Sequence, residues 1–121
     1  TLLGRACRFH LWEPNQFGIH KPLPEEQAKA EYGKNRIRRA FTYKALNRLI
    51  QGSAADMTKQ AMVNLYKEGI TPHIQVHDEL DISVESKEQS DKIIKIMKEA
   101  VTLEVPNKVD YESGPNWGTI K

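Results

Sequence analysis

Residues 77–79 read His77-Asp78-Glu79, and this pair of neighbouring carboxylates is the feature of the chain most able to carry chemistry. Two alternating runs flank it. Ile74 and Val76 alternate with polar residues on one side, and Leu80, Ile82 and Val84 do so on the other. Period-two alternation predicts two half-buried strands over 73–85, with the acids at the tip of a β-hairpin. The expected joint is Asp78-Glu79. Tight hairpin turns favour residues that tolerate positive φ, and Glu tolerates it poorly. Two readings stand at this point. Either the turn is kept for its carboxylate oxygens as well as its geometry, or the acids are merely solvated at an exposed tip.

The second candidate is a basic run. Residues 34–48 hold Lys34, Arg36, Arg38, Arg39, Lys44 and Arg48 and no acid. Residues 1–60 carry eleven Lys/Arg against five Asp/Glu, and residues 61–121 seven against eleven, so the net +2 conceals a basic half and an acidic half. Such a run suits a polyanion such as nucleic acid. An ordinary solvated helix face is the competing reading. His10 and His20 lack the Cys or carboxylate spacing of a metal site. Cys7 is the single cysteine, which excludes an internal disulfide and fits a reducing compartment.

The elements that must position these residues follow from pattern. At 121 residues, 39% hydrophobic and 28% charged, the chain reads as one globular domain over 1–121 with no separate boundary. No apolar run approaches the ~20 residues that span a bilayer, and no signal-like segment opens the chain. Its first residue is Thr rather than Met, which reads as an end made by trimming, processing or intein excision. Thr1–His10 is expected as a short strand, and residues 11–24, with Pro14, Gly18, Pro22 and Pro24, as a long loop. A helix is expected from Glu25, with Pro24 just before it and acids in its first turn, running on through Ile37, Phe41 and Ala45 past Gly33. Gly52-Ser53 predicts a kink or break between Asn47 and Ser53, with Ser53 and Asp56 as a capping box for a second helix to about Lys67. Gly69 and Pro72 end it. Ser86 and Gln89 form another capping box, opening a helix that carries Ile93, Ile96, Met97 and Ala100 on one face and ends near Thr102. Lys108–Glu112 alternates as a last strand, and Trp117 reads as an anchor for the tail. The order predicts an α+β fold: an antiparallel sheet with a central hairpin and helices on one face.

Gln51-Gly52-Ser53-Ala54-Ala55-Asp56 followed by Gln75-Val76-His77-Asp78-Glu79-Leu80 resembles the C-terminal part of family A DNA polymerases, the bacterial polymerase I class and its phage relatives. Thr1-Leu2-Leu3-Gly4-Arg5 and the closing Asn116-Trp117 are similar to segments of the same enzymes, so the resemblance covers essentially the whole chain and points to a phage-type member. It implies a palm portion with adjoining fingers-side helices. Asp78 matches the carboxylate that binds the catalytic Mg²⁺ ions, with Glu79 its supporting neighbour. His77 matches a residue near the primer terminus. Asn47 and Gln51 match a pair that faces the minor groove at the primer–template junction, and Arg5 lies in a segment that approaches DNA. The chain departs from many bacterial relatives at Tyr43, where they carry Arg, leaving Lys44 as the candidate replacement. Its loop at 11–24 is also longer than theirs.

The resemblance also implies what is lacking: a strand bearing the second metal carboxylate, and a helix that grips the incoming dNTP. Two-metal phosphoryl transfer needs both carboxylates. The chain is therefore expected to be inactive alone and to work with the N-terminal part of a polymerase on primer–template DNA, in the cytoplasm of a bacterial or phage-infected cell. A non-catalytic DNA-binding remnant or interaction module is the alternative. Apolar surface left by the missing part would favour self-association.

Overall fold

The computed structural model describes residues 1–120. They form two compact units, Thr1–Gly52 and the residues from Ser53 onward. In chain order the elements are β1 (Leu11–Pro14), β2 (Leu23–Pro24), α1 (Glu25–Tyr32), β3 (Ile37–Arg39), α2 (Ala45–Lys67), β4 (Ile74–Val76), β5 (Glu79–Asp81) and α3 (Lys87–Lys98). The α+β class with antiparallel strands is as the pattern predicts. The hairpin is not the centre of one sheet, however: β4 and β5 pair only with each other, and the first unit has its own sheet in the order β2-β1-β3.

In the first unit β1 and β2 lie where the sequence predicted a loop, and β3 where it predicted a continuing helix. Thr1–His10 forms a turn and then an irregular run, with no strand among its residues. Its side chains are almost all exposed, so period-two alternation there has no sheet to serve. The strand begins instead at Leu11, and its two prolines are tolerable where they fall: Pro14 closes β1, and Pro24 sits in the edge strand β2, which need not donate on its outer side. The register places Glu13 opposite Arg38. Glu13 is only 4% exposed, and its charge is met twice. Arg38 Nε donates to Oε1 at 2.9 Å, and His20 Nδ1 lies 3.3 Å from Oε2. A buried carboxylate is costly unless its oxygens are so engaged.

The helix that starts at Glu25 stops at Tyr32, far short of Ala45. Gly33 adopts φ +88°, outside the helical region, and its N–H closes the last turn on Lys29 O. The chain then turns back through Arg36 and pairs as β3. Helix α1 lies against all three strands, with Ala28 fully buried.

Helix α2 corrects the expected break. It runs 23 residues without interruption through Gly52-Ser53, so Ser53 and Asp56 are interior helical residues and not a cap. The glycine answers to a close approach. A Cβ at Gly52 would stand 2.9 Å from Thr1 Cγ2, and Arg5 Nη2 donates to Gly52 O at 2.9 Å.

In the second unit α2 ends at Lys67, with Gly69 at φ +77° as expected. Leu65, Ile70 and Ile93 form its core, and Leu80, Ile82, Ile96 and Met97 pack on it. Ser86 Oγ accepts from Gln89 N at 3.2 Å, while Gln89 Oε1 accepts from Glu85 N at 2.8 Å. The box is real but its return bond lands one residue upstream. Helix α3 stops at Lys98, not near Thr102. Residues 108–112 form no strand. Trp117 is 54% exposed and opens a short 3-10 turn. The tail is tied instead by Tyr111, whose hydroxyl is 3.1 Å from Ser90 Oγ. That bond, with a smaller contribution from Ser113, lowers the tyrosine pKa.

Leu65→Ala should destabilise the second unit by about 2–4 kcal/mol, because it opens a cavity where three elements meet; urea denaturation followed by circular dichroism checks this. An exposed ion pair gives a pH-dependent companion. Lys92 Nζ lies 2.8 Å from Glu68 Oε2 and holds the Glu68 carboxyl below its ordinary range. A depressed carboxyl stabilises the fold above its unfolded pKa and ceases to do so as pH falls through its folded one. Lys92→Ala should therefore lower Tm slightly at neutral pH, and the difference should vanish in acid below the carboxylate range.

Candidate nucleic-acid and metal sites

The hairpin tip is built by a two-residue turn, and that turn is His77-Asp78 rather than Asp78-Glu79. Val76 pairs with Glu79, so Glu79 already belongs to β5. The positive φ a tight hairpin requires falls on His77, at +53°. The αL region costs a residue with a Cβ roughly 1 kcal/mol. Gln75 Nε2 donates to His77 O at 2.5 Å and braces the turn from inside the hairpin. His77, Asp78 and Glu79 are all exposed. Asp78 therefore sits at the apex of a short braced ladder with its carboxylate open to solvent, not folded into apolar packing.

Asp81 behaves differently. It pairs with Ile74 at the far end of β5, is half-buried, and has Oδ2 shielded from solvent without a hydrogen-bond partner. Among the described residues no three His, Cys, Asp or Glu side chains converge as a metal cluster. The acids at the tip supply hard oxygens, the ligand type Mg²⁺ takes, but not a full set.

The basic candidates lie in the first unit. Lys44 closes a short 3-10 turn after Phe41, itself at φ +63°, and α2 begins at the next residue. Its ammonium lies 5.1 Å from the Phe41 ring centre and 5.7 Å from that of Tyr43. Asn47 and Gln51 are exposed, one helical turn apart on an unbroken stretch of α2, so both amides share a face. Arg48 stacks over Phe9 at 5.0 Å and reaches Cys7 Sγ at 3.7 Å. Arg5 is tied to the Gly52 carbonyl. The early turns of α2 thus gather Arg5, Lys44, Asn47 and Gln51 in one unit, whereas His77, Asp78 and Glu79 belong to the other.

The residues 34–48 are not one helix face. Arg38 and Arg39 lie on β3, with Arg38 engaged by Glu13 and Arg39 stacked 4.7 Å over Trp12. Sequence pattern gave no hint of Glu13, because its partner is 25 residues away. No described helix is long and apolar enough to cross a membrane.

The chain is 49% identical over 118 residues, 98% of its length, to a DNA-directed DNA polymerase of Pseudomonas phage M6. It is 43% identical over 87 residues, 64% of its length, to DNA polymerase I of Geobacillus stearothermophilus. With the thermostable DNA polymerase I of Thermus aquaticus it shares 32% identity over 113 residues, 87% of its length. It spans only 14%, 10% and 13% of these relatives respectively. No solved structure matches it significantly. The family model for DNA polymerase family A matches residues 2–119, nearly all of the sequence, and on that match the chain belongs to DNA polymerase family A.

Proposed function

We propose that this chain is the C-terminal palm portion of a DNA-directed DNA polymerase and contributes one metal-binding carboxylate and a set of primer–template contacts to nucleotidyl transfer. The observation that carries the proposal is the place of Asp78. In a chain of this family, it stands exposed at the apex of a braced two-residue turn.

In this reading Asp78 holds Mg²⁺ and Glu79, the first residue of β5, supports it. When bound, divalent ions lower the pKa of an attacking hydroxyl and stabilise charge on the transferred phosphoryl group. The chain's own residues position the DNA. Asn47 and Gln51 donate amide protons toward minor-groove acceptors, which A N3 and T O2 present alike, so they read duplex shape and not sequence. His77 lies beside the primer terminus. Lys44 and Arg5 face phosphates, a role that brings salt-sensitive affinity.

A single tip cannot clamp two ions, and the chain spans about a tenth of its relatives. The isolated polypeptide is thus inactive, and dNTP selection and the second carboxylate come from the rest of a polymerase acting in a bacterial or phage-infected cytoplasm. The surface of α2 supports this reading. Leu46, Leu49 and Ile50 are 68%, 50% and 60% exposed at i, i+3 and i+4, an apolar stripe suited to that missing part. Left uncovered, it would make the isolated chain self-associate.

The test is complementation. This chain mixed with the upstream part of the polymerase should restore templated primer extension, and Asp78→Ala should reduce it about 10²-fold or more. Normal extension by Asp78→Ala would exclude the catalytic role. A chain that binds primed duplex but never restores synthesis would instead be a DNA-binding remnant.

A further inference from the structure

The β1–β2 connection, residues 15–22, presents a feature that the palm role does not use. Phe17 at its tip is fully exposed, with a relative accessibility of 104%. A lone exposed apolar side chain is common and by itself means little. This one is held out on a braced loop. Asn15 N donates to Arg36 O at 2.7 Å, and Arg38 Nη2 donates to Gln16 O at 3.4 Å. His20 is fastened to buried Glu13, which also holds Arg38. Gly18, at φ +76°, lets the loop fold back so that Ile19 N donates to Gln16 O at 3.4 Å.

Beside the tip lies an open cleft of about 520 Å³. Lys21 and Arg36 line it, together with Asn15, Asn35, half-buried Tyr32 and one acid, Glu31. Burial, and to a lesser degree its hydrogen bond to Glu31, pushes the Tyr32 phenol up. Residues 1–52 hold ten Lys/Arg against four Asp/Glu, so the cleft opens on the strongly basic unit.

We propose that this loop and cleft form a binding site for single-stranded DNA, with Phe17 as a stacking platform and Lys21 and Arg36 as phosphate contacts. Positive side chains and amides suit a sugar–phosphate backbone, and an exposed ring suits a base face. A duplex hides its base faces within the stack, so the ring selects an unpaired strand. The site lies wholly in the first unit and does not rest on the role proposed for Asp78, so failure of either is read separately.

Fluorescence anisotropy of a labelled oligo(dT) of about twelve nucleotides with the 121-residue chain tests this. Phe17→Ala should weaken binding about 5- to 150-fold with an unchanged circular dichroism spectrum, and Phe17→Tyr should retain affinity. Joint replacement of Lys21 and Arg36 by Ala should reduce the slope of log affinity against log salt by about 1.4. Lys95→Ala, on α3, should leave affinity unchanged. Equal binding by Phe17→Ala and the parent chain, or a loss as large in Lys95→Ala as in the double variant, would overturn the site.

Discussion

Burial of Leu65 is the constraint on which the second unit depends. Among the described residues it is the largest side chain with no exposed surface, and three elements converge on it. Helix α2 supplies it, the turn at Gly69 brings Ile70 back so that its N–H bonds Leu65 O, and α3 adds Ile93. Leu80 and Ile82 then dock the hairpin on the same cluster. Burying one aliphatic side chain is worth about 1.5–3 kcal/mol. With so few fully buried residues, the hairpin is held by a handful of contacts, and each is felt. Much large apolar surface stays outside this core, including Val63, Tyr66, Val105 and Trp117.

That economy explains the form of the tip. A three-residue ladder cannot grip a long loop, so the connection must be tight, and a tight connection needs positive φ at one position. His77 takes that conformation, and Gln75 fixes its carbonyl. Asp78 is then displayed at the apex without needing positive φ itself. Strained residues cluster where geometry serves a function, and the strain at His77 places the neighbouring carboxylate. In the proposed polymerase, such a carboxylate would meet metal with little reorganisation.

The hairpin, α3 with its cap, and the end of α2 at Gly69 were legible in the sequence because their signals are local. Alternation, a Ser-x-x-Gln box and a glycine just past a helix each act within a few residues. What escaped depends on distant partners. Strand β1 places Glu13 opposite Arg38, and neither residue announces the other. Pro14 and Pro24 look like loop chemistry until their places at a strand end and a sheet edge are known. Gly33 and Gly52 illustrate the ambiguity of glycine. Gly33 ended a helix expected to continue, and Gly52, expected to interrupt one, is there to admit Thr1 and Arg5. At the hairpin the expected turn fell one residue too late, since positive φ went to His77 and Glu79 already pairs with Val76.

The single-strand site uses the first unit alone, whereas the polymerase reading uses cations and amides of the first and carboxylates of the second. In the polymerase reading the apex of the hairpin in the second unit is a divalent-ion ligand. Paramagnetic broadening by Mn²⁺ in the ¹⁵N-labelled chain tests it most directly. Amide signals of His77, Asp78, Glu79 and Leu80 should broaden first as Mn²⁺ is added, ahead of those near Glu25-Glu26 or Asp110–Glu112. Broadening centred on either of those other acidic stretches, with the tip spared, would contradict it.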